Sequence, residues 1–382
     1  MNCLHRALAG ATILALSASI SAQDFLLYNF EGPCSAEVVN FATSGLGNGT
    51  LTAAFGTGHA LGYNGQGLAA GNLSTGARNL VDTLWDPAVA PLTGDLTIAF
   101  WARQGQPFTT QLSYLFGMSG SGFRLFTNGA AGTGLYLRSV TTPTTDLLLP
   151  GTTADFQALA ATSWVHVAVT IDDTNHLATW YIDGAQVHTQ SGLGSVAVAT
   201  GGTLRLGGYG GTAGSAYDLD EVLFSHTLYP AGAIAQLATG TRSGHGSYQS
   251  GALSHCGPGD VVLDATGGRP ALGNLSYALR ITPTSPSLWL LLYGTDRCTI
   301  GGVAPLPLDG ALLLPLLNGC TVLADPAILL SGFAGPANPA SIPLPISPTL
   351  SMGANVWCQA LTISPPNSAV AMSNGFAVAI GL

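Results

Sequence analysis

The run Asp218-Leu219-Asp220-Glu221 is the first place to look for chemistry. Glycoside hydrolysis uses two carboxyl groups, about 5 Å apart in retaining enzymes and wider in inverting ones. On a strand, acids two or four positions apart share a face. Asp218 and Asp220 meet that spacing, but Glu221 points the other way and position 222 is Val. The array needed for bond breaking is therefore incomplete. Two carboxylates on one face can instead contribute to a calcium site, which takes six to eight oxygens. Glu31, at the end of the first apolar run, could join Asp218 and Asp220 if the first and last strands lie side by side. The alternative is that Asp220 accepts backbone amides at one end of a sheet.

Other reactive constellations fail on spacing. Gly117-Met-Ser-Gly-Ser-Gly122 misses the G-x-S-x-G elbow and reads as a turn between strands. Gly65-Gln-Gly67 and Gly207-Gly-Tyr-Gly-Gly211 lack the following helix of a dinucleotide site. The histidines show no metal-ligand spacing, and His166 reads as a packed strand residue. All ten cationic side chains are arginine and the net charge is -9, so phosphate-loop, Schiff-base and nucleic-acid chemistry are excluded as expectations. No catalytic constellation remains, and the chain reads as a non-enzyme. For ligand binding, aromatic residues in loops are the candidates. Trp85, Tyr209 and Tyr63 lead, with Tyr114, Tyr136 and Tyr217 behind them.

The elements that must position these groups are β-strands. Only 8% of residues are charged, and 51 Gly and 22 Pro punctuate short apolar runs. Expected strands include Phe25–Phe30, Leu96–Arg103, Ser113–Gly117, Phe123–Thr127, Gly134–Arg138, Trp164–Ile171, Leu177–Asp183, Leu204–Gly208 and Tyr217–Phe224. In Trp164–Ile171, Val165, Val167, Val169 and Ile171 take one face. The one helix expected in this half is Pro230–Ala238. Residues 1–22 read as a secretory signal with cleavage near Ala22, and no segment is long enough to span a bilayer. An oxidising destination favours disulfides. Cys298–Cys320 is the first pairing expected, and the odd cysteine count of the mature chain leaves at least one thiol over.

The expected organisation is a β domain over 23–242, a linker over 243–255 and a smaller β-sandwich module over 256–382. The last of these holds fifteen of the prolines and no glutamate. Its Pro-rich stretches Gly301–Pro307 and Gly335–Pro348 are expected to be loops or edges.

Six segments recur in a telling order: Ala60-Leu-Gly-Tyr-Asn-Gly-Gln-Gly67, Leu96-Thr-Ile-Ala-Phe-Trp-Ala-Arg103, Ser163-Trp-Val-His-Val-Ala-Val-Thr170, Tyr181-Ile-Asp-Gly184, Leu204-Arg-Leu-Gly-Gly208 and Asp218-Leu-Asp-Glu-Val222. Together they make residues 24–242 similar to laminin-G-like (LamG-like) domains among the concanavalin A-like lectin/glucanase jelly rolls. The resemblance implies an all-β chain, with two curved antiparallel sheets that often bind glycans or proteins and frequently use Ca2+. The reading that follows is a secreted, non-catalytic binding or adhesion protein. Its partner would be a polysaccharide or an extracellular or surface protein, with no nucleic acid and no membrane span. A structural matrix component and a divergent glycan-active hydrolase are the alternatives.

Overall fold

Alternation of side chains decides the first core. Val165, Val167, Val169 and Ile171 on Val165–Asp172, and Leu96, Ile98, Phe100 and Ala102 on Leu96–Gln104, all enter one buried cluster. The computed structural model describes residues 24–381 apart from 33, 43–45, 109–110, 129–133, 211–212, 241, 249–260, 314 and 366–368. The expected signal segment, His255, Cys256 and most of the expected linker lie outside the described residues.

Two sheets enclose that cluster. The first runs Ala185–Ser191, Leu177–Ile182, Val165–Asp172, Leu96–Gln104, Tyr217–Ser225, Gln66–Leu68, His59–Leu61, and Asp24–Tyr28 also pairs with Tyr217–Ser225. The first and last long strands are thus neighbours. The second runs Leu147–Leu149, Leu135–Arg138, Arg124–Thr127, Ser113–Gly117, Arg205–Leu206, Asn79–Asp82, Gly49–Ala53, Glu37–Val38. Asp183 and Gly184, both at positive φ, close the hairpin between Leu177–Ile182 and Ala185–Ser191, as a two-residue turn requires.

The helix expected at Pro230–Ala238 is α2 (Ala231–Leu237), with Pro230 as N-cap and Ala238 as C-cap. The sequence reading missed α1 (Phe156–Thr162). Asp155 caps it by accepting from Ala158 N, and Phe156 and Ala160 pack into the core. A capping Asp ahead of a short run was the available signal.

The second module is also two-layered. A five-stranded sheet, Gly244–Tyr248, Ala369–Ala379, Asn355–Ser364, Ser287–Gly294, Ile328–Ala334, packs against Val261–Thr266, Ala278–Pro283, Ala340–Pro343. Ala340–Pro343 is a sheet edge, which suits its one proline, Pro343. The expected linker needs correcting at its start. Gly244–Tyr248 pairs with Ala369–Ala379, so the chain enters the second module within a few residues of α2.

The modules share a core. On the outer face of the first sheet, Leu27, Ala99, Ala168, Tyr181 and Leu223 are covered by Ile234 and Leu237 of α2 and by Tyr248, Leu323, Trp357 and Ala377 of the second module. Polar ties reinforce the seam. Arg269 Nη2 lies 2.5 Å from Asp24 Oδ2, and Tyr229 donates its hydroxyl to Asp24 Oδ1 at 2.7 Å. Arg297 donates to the carbonyls of Gly32 and Glu37 at 2.6 and 2.9 Å, with its guanidinium against Trp357 and Tyr248.

The expected Cys298–Cys320 pairing is wrong. Cys298 bonds Cys34, 264 residues away and in the other module. The stretch from 298 to 320 is held by its own backbone bonds instead, Leu306 N to Cys298 O and Gly310 N to Cys320 O. Cys320 is disulfide-bonded as well, and among the described residues Cys358 is a free, buried thiol.

Candidate functional site

The outer faces of the two sheets have different fates. Much of the first is covered by α2 and the second module, whereas the outer positions of the second sheet are filled by large polar and aromatic side chains. Leu135 and Leu137 point into the core while Tyr136 and Arg138 point out, and on the neighbouring strand Leu125 points in while Arg124 and Phe126 point out.

Strand register lines these side chains up in two rows. Leu148, Tyr136, Phe126 and Tyr114 are successive cross-strand partners. Tyr209 extends the row by stacking on Tyr114, with centroids 5.1 Å apart and planes 18° apart. Tyr114–Phe126 and Phe126–Tyr136 follow at 5.6 and 5.3 Å. Beside this row runs a second, Arg138, Arg124, Gly117, Arg205, Asp82 and Thr50, again cross-strand partners in sequence. Gly117 is needed here: a Cβ would sit 2.7 Å from the Tyr209 ring and 2.8 Å from Arg124 Cβ.

The charges on this face are unequally used. Arg138 holds Asp146 through two nitrogens, which keeps that carboxyl below its ordinary range. Arg205 lies 3.5 Å from Asp82. Arg124 has no carboxylate within salt-bridge distance among the described residues. Its guanidinium lies 4.9 Å from the Tyr209 centroid and 5.5 Å from that of Phe126, and it donates to the Tyr209 hydroxyl at 3.3 Å. The rings lean on one another in a staircase, so the strip offers ring edges, phenol hydroxyls and a guanidinium. Such a surface can take apolar C–H groups and hydroxyls together.

The three leading aromatics therefore separate. Tyr209 belongs to the row, with Tyr114 and Tyr136 beside it. Trp85 is no ligand contact: it is 1% exposed, packs edge-on to Phe25 and donates Nε1 to Ala90 O. Tyr63 lies on the other side of the sandwich, stacked on Trp101 with planes 9° apart, and Trp101 in turn meets His166 edge-on. Tyr217 is fully buried. Phe126, between Tyr114 and Tyr136, is only 4% exposed, because Arg124 and Arg138 also lie over its ring; it supports the row rather than presenting a face.

The three acids proposed for calcium do not form one site, since Glu31 and Asp220 interact while Asp218 is turned to other partners. Asp218 accepts from Ala70 N and pairs with Arg103 at 2.8 Å. Asp220 is fully buried and accepts backbone amides of Asn64 and Glu221. Glu31 accepts from Gln66 N at 2.9 Å and lines an open cleft of about 440 Å³ between the modules, with Asn64, Asp296, Asn355 and Trp357. Desolvation pushes Glu31 up to about 7, and burial together with Glu31 raises Asp220 well above the carboxylate range. Among the described residues, no group of three or more His, Cys, Asp or Glu side chains is placed to hold a metal. With Asp218 taken by arginine and Asp220 by amides, these residues do not fit a calcium ion.

Residues 76–234 match the laminin-G-like family described as the concanavalin A-like lectin/glucanases superfamily. Among solved structures, domain 4 of AbnA, a GH43 extracellular arabinanase from Geobacillus stearothermophilus in complex with arabinotriose, is 19% identical, with 57% of this chain and 99% of that one covered and a TM-score of 0.41. The botulinum neurotoxin serotype D binding domain is 10% identical over 95% of this chain and 93% of its own, with a TM-score of 0.40. A native heptameric SAP-like pentraxin from Limulus polyphemus is 15% identical over 44% and 79%, at 0.33. No curated protein matches the chain. No helix among the described residues is long and apolar enough to cross a membrane. The family match and the two facing antiparallel sheets make the first sandwich a LamG-like jelly-roll domain of the concanavalin A-like lectin/glucanase superfamily.

Proposed function

We propose that this chain is a secreted, non-catalytic binding protein that recognises a glycan on the outer face of its second sheet. The observation that carries this reading is the row Tyr209, Tyr114, Phe126 and Tyr136 with Arg124 laid against it. Three adjacent strands at about 4.8 Å spacing, with Tyr209 stacked at the end, make a strip about 15 Å long, enough to contact several sugar rings. Sugars present hydroxyls, which suit phenol and guanidinium groups, and apolar C–H patches, which gain ordinary apolar contact against the rings. The LamG-like fold and a cross-module disulfide support an extracellular setting.

Hydrolysis fits less well. The acids on the strip, Asp82 and Asp146, each face an arginine. Glu31 and Asp220 influence one another, but Asp220 is sealed from solvent and occupied by backbone amides. Neither pair offers two accessible carboxyls flanking open space.

The test is retention of the full chain on immobilised neutral and acidic polysaccharides, compared with the variant Tyr114→Ala/Tyr136→Ala. Selective retention by the native chain and its loss in a folded variant are expected. A folded native chain that no polysaccharide retains overturns the reading, as does release of reducing sugar.

A further inference from the structure

An unguarded surface lies on the second module, remote in sequence from the aromatic row. Among the described residues, Ile328–Ala334 is the last strand of the five-stranded sheet and pairs on one side only, with Ser287–Gly294. Its sequence is Ile-Leu-Leu-Ser-Gly-Phe-Ala, and Ile328, Leu329, Leu330 and Phe333 are 49, 58, 42 and 78% exposed. Leu329 and Phe333 continue a face of the sheet, since their partners on Ser287–Gly294 are the half-buried Leu292 and Leu288. Sheet edges are ordinarily guarded by lysine, proline, inward charges or bulges, because the unpaired N–H and C=O groups invite another strand. This edge has none of them. The chain has no lysine at all, the strand has no proline, and its register with Ser287–Gly294 is unbroken.

We propose that this edge is where a second copy of the chain pairs, strand against strand and antiparallel, across a two-fold axis near Ser331. Three features choose a second copy as the occupant. A free strand edge is best satisfied by another strand, and the same edge on a second copy supplies one of equal length. A two-fold contact uses the same patch on both partners and closes at the dimer. Centred on Ser331, the pairing sets Leu329 opposite the second copy's Phe333, large against large, and Leu330 opposite its Gly332. The third feature is charge. Copies carrying a net charge of -9 repel one another on most surfaces. The strands Ser287–Gly294, Ile328–Ala334, Asn355–Ser364 and Ala369–Ala379 contain no Asp, Glu, Lys or Arg, so the strands brought side by side add no like charge of their own. The outcome is one continuous sheet running through two molecules, with a recognition domain attached on each side.

The experiment is light scattering and sedimentation equilibrium on the full chain across a dilution series. Three variants are compared: Phe333→Lys, Leu329→Lys, and Leu61→Lys as a control at a 70% exposed leucine of the first sandwich. Circular dichroism checks each for native structure. The expected result is a reversible monomer–dimer equilibrium, weakened at least about tenfold by either edge lysine and unchanged by Leu61→Lys. A chain that stays monomeric at every concentration overturns the proposal. So does a dimer untouched by both edge lysines, or open-ended growth in place of a closed pair.

Discussion

Arg124 lies against Tyr209 with its guanidinium carbon 4.9 Å from the ring centroid, while one of its nitrogens donates to the phenol oxygen at 3.3 Å. The contact fixes two of the groups a ligand would meet. It also leaves Arg124 without a carboxylate partner among the described residues, unlike Arg138 and Arg205 beside it.

Replacing Arg124 with Ala is therefore expected to lower polysaccharide affinity about five- to thirtyfold, the scale of one lost cation–π or charge-assisted contact. Stability should fall by only about 1 kcal/mol. Arg124→Lys should recover little, because an ammonium cannot span both rings and the hydroxyl as a planar fork does. Affinity chromatography beside a urea titration separates the two effects. Unchanged retention by Arg124→Ala would remove this residue from the site.

Arg269 and Asp24 make a different kind of pair. Both are buried, at a point where both modules meet. Arg269→Met is expected to cost about 1.5–3 kcal/mol, because it removes the nearer of two arginines from a buried carboxylate that Arg242, at 3.4 Å, still faces. Adding Asp24→Asn should restore part of that loss. A double variant no more stable than Arg269→Met in chemical denaturation would show that the buried charge is not the cause.

Cys34 and Cys298 close a loop that spans most of the chain. Their replacement by Ala should lower stability by about 2–5 kcal/mol, and the loss should show in thermal melts as well as under reducing agent. A melting midpoint indifferent to reductant would mean that the seam's side-chain contacts suffice alone.

The acid side of the stability profile has two opposed contributions. Glu31 is raised from 4.5 to about 7, so the folded state keeps its proton where the unfolded chain has lost it. Its penalty is absent below about 4.5, grows as pH rises through that window, and is complete above 7. His166 and His245 are lowered from 6.5 to about 4 by burial, so their contribution is present above 6.5 and lost as pH falls towards 4. Glu31→Gln should thus stabilise the protein at pH 8 by about 1–3 kcal/mol and change little at pH 4. The check is denaturant titration at both pH values. Equal effects at the two would refute the assignment.

Much of the first sandwich was legible because both faces of its central strands are committed. Val165 to Ile171 could alternate in only one way. The aromatic row was legible only in pieces. Tyr114 and Tyr136 stood among the candidates, but the row exists through the pairings Tyr114 with Phe126 and Phe126 with Tyr136, which no local pattern reveals. Trp85 misled because its backbone does lie in a loop, yet its indole turns inward to Ala90. The cysteines misled for a related reason: spacing measures distance along the chain, whereas Cys34 and Cys298 meet through the docking of two modules. Asp218 and Asp220 were correctly placed on a common face, but their partners, an arginine and backbone amides, come from other elements.

Tyr181, Leu223 and Leu27 are buried with Trp357, Leu323 and Ala377 in one apolar cluster that crosses the seam. A fragment ending at residue 242 would consequently present an oily flank where the intact chain has an interior. Any such fragment would stick to itself or to whatever surface it met, and its stickiness would imitate recognition. The whole polypeptide is the smallest unit on which a binding measurement has meaning.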